Sequence, residues 1–230
     1  MARISFPLIL VNLKTYREAS GRNAARLAVI IEEVSRRTEV CIAVAPQPLD
    51  VVRIAEVAEV PIIAQHVDPV GCGQFTGHLP PESFAMAGCS GALINHSEKR
   101  LDMKTIEATI RMVKDTGLTP IVCVDSIETG RRVAQFKPEA VAIEPPELIG
   151  TGISVSKAKP EVVSGAVEAV KGVETSLRVL CGAGVTSGED VKIALKLGAE
   201  GILVASGVVK SRDPFETLMQ LAGAVRSLKD

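Results

Sequence analysis

Three side chains suited to acid–base chemistry each follow a short apolar segment of the sequence. Lys14 follows residues 7–11, His96 follows Gly91–Ile94, and Glu144 follows Ala140–Ile143. A carboxylate can remove a proton from the carbon next to a carbonyl group. A neutral histidine and a lysine can polarise that carbonyl and stabilise the oxygens of the resulting enediolate. These residue types predict an isomerisation by proton transfer, provided that the fold brings them together.

Two turns of small residues predict an anion-binding site. Gly182-Ala183-Gly184 and Ala205-Ser206-Gly207 follow the last two apolar segments, and residues 207–210 could form a short helix behind them. Backbone N–H groups in such turns bind phosphate. Asn12 and Lys14 alternate out of the first segment and therefore share a face. Taken singly, each of these features could also be an ordinary turn or surface residue.

The segment after Glu144 predicts a loop that closes over the site. Pro145 and Pro146 stop a strand because proline has no N–H and a fixed φ. The turn Ile149-Gly150-Thr151-Gly152 follows them, and glycine permits close approach of the backbone to a ligand. A closing loop would keep water from an enediolate phosphate, which readily loses its phosphate. A solvated acid before an ordinary loop is the alternative.

Length and composition predict one domain, residues 1–230. The chain has 230 residues, of which 47% are hydrophobic and 23% charged, and this suits one domain with a large core. The formal net charge of -1 argues against nucleic acid or an anionic membrane as the main partner. No apolar run is long enough to span a bilayer and no signal-peptide pattern opens the chain, so we expect a cytoplasmic protein.

The cysteines and histidines predict neither a metal nor another cofactor. The cysteines are Cys41, Cys72, Cys89, Cys123 and Cys181. Their number is odd and no Cys-x-x-Cys occurs, so we expect all five to be reduced and structural. His66, His78 and His96 lack the spacing of metal ligands.

Apolar segments with the length of strands alternate with segments of helical character. The predicted strands are residues 7–11, 40–45, 62–64, 91–94, 120–124, 140–143, 177–181 and 201–204. The predicted helices are residues 18–37, 48–57, 81–87, 98–116, 126–136, 157–170, 189–197 and 214–229. The strand segments are apolar throughout, which is typical of parallel strands covered on both faces.

This alternation predicts an α/β fold, the (β/α)8 TIM barrel. A doubly wound open sheet is the alternative, but no Gly-x-Gly-x-x-Gly follows the first strand. In a barrel the C-terminal ends of the strands meet at one mouth, which would bring Lys14, His96 and Glu144 together. A helix beginning at residue 98 would place its positive end beside His96 and lower the pKa of the imidazole.

The sequence resembles the triosephosphate isomerase family over essentially its whole length. The shared motifs are Asn12-Leu13-Lys14, Ala64-Gln65, Phe75-Thr76-Gly77, Asn95-His96-Ser97-Glu98-Lys99-Arg100, Glu144-Pro145, Ile149-Gly150-Thr151-Gly152 and Gly182-Ala183-Gly184-Val185. Several motifs in the correct order make the resemblance specific. A base, a neutral electrophilic histidine and a closing loop are the established pattern of this family.

The resemblance implies cofactor-free interconversion of dihydroxyacetone phosphate and D-glyceraldehyde 3-phosphate. It implies that Glu144 is the base, that His96 is the electrophile and that Lys14 supplies positive charge. The substrate-binding residues that it implies are Asn12, Lys14, Ile149, Gly150, Gly184, Ala205, Ser206 and Gly207.

The resemblance also implies an oligomer, because Phe75-Thr76-Gly77 matches the loop that reaches into a neighbouring subunit. Glu98 matches a structural acid beside the active-site lysine. The short chain, the absence of Trp after Glu144 and Cys181-Gly182-Ala183-Gly184 in place of Tyr-Gly-Gly-Ser are similar to the compact archaeal branch. That branch is associated with tetramers, so a homotetramer is favoured over a dimer.

Two other functions fit the residues less well. A Schiff-base aldolase or synthase on the same barrel would use Lys14 as its nucleophile. A phosphometabolite-binding barrel without catalysis would need the anion site but no base, and Glu144 opposite His96 disfavours it.

Overall fold

Eight parallel strands form one sheet in the part of the chain that the structure describes. The structure is a computed structural model, and it describes residues 2–145 and 154–227. The strands are β1 (Leu8–Asn12), β2 (Cys41–Ala45), β3 (Ile63–Ala64), β4 (Gly91–Ile94), β5 (Thr119–Val124), β6 (Ala140–Ile143), β7 (Arg178–Cys181) and β8 (Gly201–Val204). Each predicted strand is present, with ends shifted by at most one residue.

The sheet closes on itself as a barrel. Its strand order is β2-β1-β8-β7-β6-β5-β4-β3, and a parallel bridge between Val44 and Ile62 joins the two end strands. The predicted TIM barrel is therefore confirmed, and the doubly wound alternative is wrong. In this fold the C-terminal ends of the strands carry the active site.

Side chains alternate between the barrel interior and the surrounding helices, which explains why the strands are apolar throughout. Leu8 and Leu10 of β1 belong to a buried cluster with residues from all the other strands, such as Ala142 and Leu180. Ile9 and Val11 of β1 belong instead to a larger buried cluster, which also contains residues of the surrounding helices. Because both faces of each strand are buried, neither face needs polar residues.

Helices surround the barrel and follow the strands in sequence. They are α1 (Arg22–Thr38), α2 (Val51–Ala55), α3 (Pro81–Met86), α4 (Met103–Asp115), α5 (Ile127–Ala134), α6 (Val155–Ala158), α7 (Pro160–Lys171), α8 (Gly188–Lys196), α9 (Ser206–Val209) and α10 (Pro214–Arg226). Short 3₁₀ helices at Arg17–Ala19 and Pro48–Asp50 precede α1 and α2.

Two helix predictions were wrong in a way that matters for the site. The fourth helix begins at Met103, not at residue 98, because the Asp102 side chain caps it by accepting a bond from the Thr105 N–H at 2.9 Å. The predicted helix 157–170 is two helices, α6 and α7. Proline cannot continue a helix, and Pro160 instead occupies the first turn of α7.

Polar side chains cap α8 and α10 at their N-terminal ends. Ser187 and Asp190 form a reciprocal capping box, and the Asp213 side chain accepts from the Glu216 N–H. None of the helices in residues 2–145 and 154–227 is long and apolar enough to cross a membrane.

The cysteines are free thiols in differing surroundings. Cys89, Cys123 and Cys181 are buried, Cys41 is half-buried, and Cys72 is exposed. Cys72 lies in the long loop after β3, with its Sγ 3.0 Å from Glu82 Oε2.

Candidate active site

The strand ends open into one cleft, as the sequence predicts. Every predicted site residue that the structure describes lines this cleft: Asn12, Lys14, His96, Glu144, Gly184, Ala205, Ser206 and Gly207. The two other predicted residues, Ile149 and Gly150, lie outside the described residues, as does most of the predicted closing loop.

Glu144 is a buried carboxyl group at the end of β6. Its backbone N–H donates to the Val124 carbonyl at 2.8 Å, so the strand pairing continues through the residue and fixes its position. Burial disfavours the charged form and raises the pKa of Glu144 to about 7, although the Cys123 thiol and Lys14 act in the opposite direction. A group with this pKa can accept and return a proton near neutral pH.

Cys123, on β5, is the side chain that lowers the pKa of Glu144 most. Burial raises the pKa of the Cys123 thiol well above its ordinary value, and the Glu144 carboxylate raises it further. The thiol is therefore neutral beside the carboxylate. Glu144 Oε2 has no hydrogen-bond partner of standard geometry among the described residues, so packing contributes strongly to holding the carboxyl group.

The protonation of His96 follows from its hydrogen bond to the backbone. The Glu98 N–H donates to His96 Nδ1 at 3.2 Å, so Nδ1 carries no proton and a neutral ring carries its proton on Nε2. Nε2 lies 3.7 Å from Glu144 Oε1. The imidazole is thus arranged as a hydrogen-bond donor that faces the carboxyl group.

The pKa of His96 is lowered, but the predicted cause was wrong. Burial is the main cause and the positive charge of Lys14 is the second. Because α4 begins only at Met103, His96 does not directly precede a helix, contrary to the prediction from the sequence. Residues between His96 and α4 instead form a turn, closed by the Lys99 N–H donating to the His96 carbonyl at 2.7 Å.

Asn95 fixes the backbone from which His96 projects. It has a positive φ of 61°, a conformation that Asn tolerates better than most residues. Its Nδ2 donates to the Cys123 carbonyl at 2.9 Å, and its Oδ1 accepts from the Leu101 N–H at 2.8 Å. The buried amide therefore ties the His96 turn to the neighbouring strand.

Lys14 and Asn12 are positioned together at the end of β1. Lys14 has a positive φ of 47°, and its N–H donates to Asn12 Oδ1 at 3.0 Å. Its ammonium group lies 2.8 Å from Glu98 Oε1. Strained backbone of this kind persists where the surrounding contacts fix it, often at functional sites.

Gln65, which follows β3, supplies much of that support. Its Nε2 donates to the Ala45 carbonyl at 2.9 Å and to the Lys14 carbonyl at 3.0 Å, and it lies 3.3 Å from Asn12 Oδ1. The family motif contains Gln65, but sequence reasoning gave it no role. The available signal for Gln65 in the sequence was its polar amide, which directly follows the apolar strand β3.

Two hydrogen-bond donors converge on one side of the cleft. Asn12 Oδ1 is occupied as an acceptor, so Nδ2 faces His96 Nε2, at 3.4 Å. Both groups are then donors, and the same substrate oxygen could accept from both. With the Lys14 ammonium nearby, this arrangement suits an oxygen that gains negative charge beside the Glu144 carboxyl group.

Small residues form another wall of the cleft, made of Gly182, Ala183, Gly184, Ala205, Ser206 and Gly207. Gly184 has a positive φ of 66°, and a Cβ at Gly207 would lie 3.3 Å from the Val185 carbonyl oxygen. The short helix predicted at residues 207–210 is α9, Ser206–Val209. Tyr16 and Thr186 also line the cleft, although sequence reasoning did not select them.

Within the described residues, no group of three or more His, Cys, Asp or Glu side chains could hold a metal ion. The side chains that meet in the cleft include one carboxyl group, one neutral imidazole, one ammonium group and one amide. They can transfer protons and stabilise an oxyanion without a covalent intermediate.

Comparison with known proteins gives consistent matches over the chain. The sequence model of the family described as triosephosphate isomerase matches residues 7–222. A triosephosphate isomerase of Methanocaldococcus jannaschii is 50% identical over 93% of this chain and 98% of its own length. Proteins of the same name from Methanosarcina acetivorans and Methanothermus fervidus are 49% and 48% identical, each over 94% of this chain and 97% of their own length.

Proposed function

The chain belongs to the triosephosphate isomerase family, and on this premise we propose how its residues carry out the reaction. The substrates are dihydroxyacetone phosphate and D-glyceraldehyde 3-phosphate, which differ only in the positions of two hydrogens. The reaction therefore requires proton transfer between adjacent carbons and between their oxygens. The observation that carries the proposal is the meeting of the Glu144 carboxyl group with His96 Nε2, at 3.7 Å.

Glu144 removes the proton from the carbon next to the carbonyl group and returns it to the neighbouring carbon. Its raised pKa makes it a stronger base than an ordinary carboxylate, and the carboxylate is the major form above pH 7. Burial also keeps water from competing for the abstracted proton.

His96 and Asn12 donate to the substrate oxygens while negative charge develops on them. A neutral imidazole with its proton on Nε2 is a weak acid, so it can stabilise an enediolate by hydrogen bonding and exchange a proton with it. The Lys14 ammonium adds positive charge on the same side.

The substrate phosphate binds to the wall of small residues, with backbone N–H groups of Gly184, Ala205, Ser206 and Gly207 as the proposed donors. The lack of bulky side chains there allows an anion to approach the backbone. Ile149 and Gly150 complete the proposed phosphate site, on the basis of the sequence motif alone. Phosphate binding away from the reacting carbons orients the substrate.

The Lys14–Glu98 contact argues against the Schiff-base alternative. Lys14 is engaged as an ammonium group by a carboxylate at 2.8 Å, whereas Schiff-base formation requires a free amine. The Glu144–His96 arrangement likewise argues against a binding protein without catalysis, since binding alone needs no base.

We propose a homotetramer located in the cytoplasm. Leu49 and Met86 are 90% and 82% exposed, and Phe75, in the loop expected to reach a neighbouring subunit, is 44% exposed. These apolar side chains support self-association, while the choice of tetramer over dimer rests on the archaeal resemblance. Light scattering should give a mass near four times the 24.2 kDa of one chain.

Substitution of the base tests the catalytic assignment. Wild-type protein should form D-glyceraldehyde 3-phosphate from dihydroxyacetone phosphate in a coupled assay. Glu144→Asp retains the carboxyl group but shortens the side chain, so kcat should fall by about a hundredfold or more while the fold is kept. Near-wild-type turnover in a folded Glu144→Asp variant would refute the role of Glu144. Glu107→Asp, an exposed acid on α4, is the control.

A further inference from the structure

Asp190 is a buried carboxylate that the proposed mechanism does not use. It lies in the first turn of α8 and is 2% exposed. Its Oδ2 accepts from the Ser187 N–H at 2.9 Å and from the Thr186 N–H at 3.0 Å. Thr186 lines the cleft two residues after Gly184. The carboxylate therefore fixes the backbone at the end of the wall of small residues.

The other oxygen of the Asp190 carboxylate links this wall of the cleft to Lys157, in a different part of the chain. Asp190 Oδ1 lies 2.7 Å from Lys157 Nζ, with 3% of the Asp190 side chain and 47% of the Lys157 side chain exposed. Lys157 belongs to α6, which lies between β6, the strand of the base, and β7. The geometry of an ion pair is better defined when one partner is buried and held by several hydrogen bonds than when both partners lie on the open surface.

Further bonds connect the same two segments. The Val155 N–H donates to the Ala183 carbonyl at 3.1 Å. Ser156 Oγ donates to the Asp190 carbonyl at 3.1 Å and lies 2.7 Å from Ser154 Oγ. Residues 154–157 thus contact residues 183–190 through both backbone and side chains.

We propose that Lys157 and Asp190 are positioning residues, which hold the backbone of residues 183–187 in the arrangement that receives the substrate phosphate. This inference rests on the proposed function, in which that backbone binds the phosphate. Neither side chain needs to touch the substrate, since Asp190 acts through the N–H groups that it binds and Lys157 acts through Asp190. The simpler alternative is that the pair only stabilises the fold.

Replacement of Lys157 by methionine distinguishes a positioning role of the ion pair from a role in fold stability alone. Lys171→Met is the matched control, because Lys171 lies 2.6 Å from Glu200 in an ion pair at the opposite end of the barrel. We expect Lys157→Met to raise the Kd for inorganic phosphate, measured by calorimetry, and the KM for D-glyceraldehyde 3-phosphate by about three- to tenfold. The kcat should change less, and Lys157→Arg should restore most of the affinity. Lys171→Met should leave Kd and KM unchanged.

Asp190→Asn distinguishes positioning from a direct attraction between Lys157 and phosphate, because it keeps the lysine charge and removes the ion pair. Positioning predicts a weakened affinity for phosphate in this variant as in Lys157→Met. Unchanged affinity in Asp190→Asn, or equal affinities in Lys157→Met and Lys171→Met, would overturn the inference. A wild-type protein that binds phosphate without isomerising triose phosphates would instead overturn the proposed function, and the calorimetric comparison would still decide the role of Lys157.

Discussion

Gly182 provides the space that the Glu144 side chain occupies. A Cβ at position 182 would lie 2.6 Å from Glu144 Cγ and 3.2 Å from the Ile143 carbonyl oxygen. The first distance is too short for a stable contact, so any larger residue must displace the Glu144 side chain or the strand that carries it. The glycine after β7 therefore has a steric role in the site, beyond that of a flexible turn.

Gly182→Ala should lower activity by displacing Glu144. A displacement of up to 1 Å in a catalytic group can reduce kcat by about a hundredfold, so we expect a loss of about ten- to a hundredfold. Steady-state assays with D-glyceraldehyde 3-phosphate measure this effect. Gly223→Ala is the control, because that exposed helical glycine has no atom within 4 Å of its added Cβ. Unchanged kcat in Gly182→Ala would show that the base tolerates the methyl group.

The acidic limb of the pH profile should report Glu144. The carboxylate is the reactive form in the proposed mechanism, so kcat/KM for the free enzyme should rise with pH and reach half of its maximum near pH 7. The lowered pKa of His96 keeps the imidazole neutral across this range. A half-maximum near 4.5, the ordinary pKa of a glutamate, would contradict the burial that we describe.

Sequence reasoning predicted the barrel, and the residues that line the cleft at its strand ends, because both depend on local patterns. Each apolar segment, such as residues 140–143, has a length and composition that favour a buried parallel strand. The barrel then requires the residues after these strands to meet, which is how Lys14, His96 and Glu144 could be selected without coordinates.

Contacts between distant segments could not be predicted in this way. Cys123 was expected to be reduced and structural, and nothing near it in sequence reveals that it lies beside Glu144. Asp190 forms its capping box with Ser187, which is close in sequence, but its contact with Lys157 joins different β/α units. The start of α4 was misplaced because the polar run after His96 resembles a helix start, whereas Asp102 provides the cap.

Glu144→Gln should make the folded protein more stable at alkaline pH. The pKa of Glu144 is 4.5 in its ordinary state and about 7 when folded, so the folded protein binds more protons between these values. Wild-type stability must then decrease as pH rises through this range, by a total of about 3 kcal/mol. The amide does not titrate. The variant should therefore unfold at higher denaturant concentration than wild type at pH 8, and the difference should shrink to about 1 kcal/mol at pH 5.

The control for this measurement is Glu107→Gln, which replaces an exposed carboxylate on α4. Its stability relative to wild type should depend little on pH. A Glu144→Gln variant whose stability difference is the same at pH 5 and pH 8 would show that the carboxyl group is not held in the folded state with a raised pKa.

Gln65→Leu should reduce both stability and activity by freeing the loop that carries Lys14. Leucine has a similar size but cannot donate to the Lys14 and Ala45 carbonyls, which Gln65 Nε2 binds at 3.0 and 2.9 Å. Loss of a partner for buried polar groups typically costs about 1–3 kcal/mol in the free energy of unfolding. Because Lys14 is held in a strained backbone conformation, its ammonium should also move, and kcat/KM should fall by about tenfold or more.

The control is Gln220→Leu, which changes an exposed amide on α10 and should affect neither stability nor kcat/KM. If Gln65→Leu lowered stability but left kcat/KM unchanged, Gln65 would support the fold without positioning Lys14.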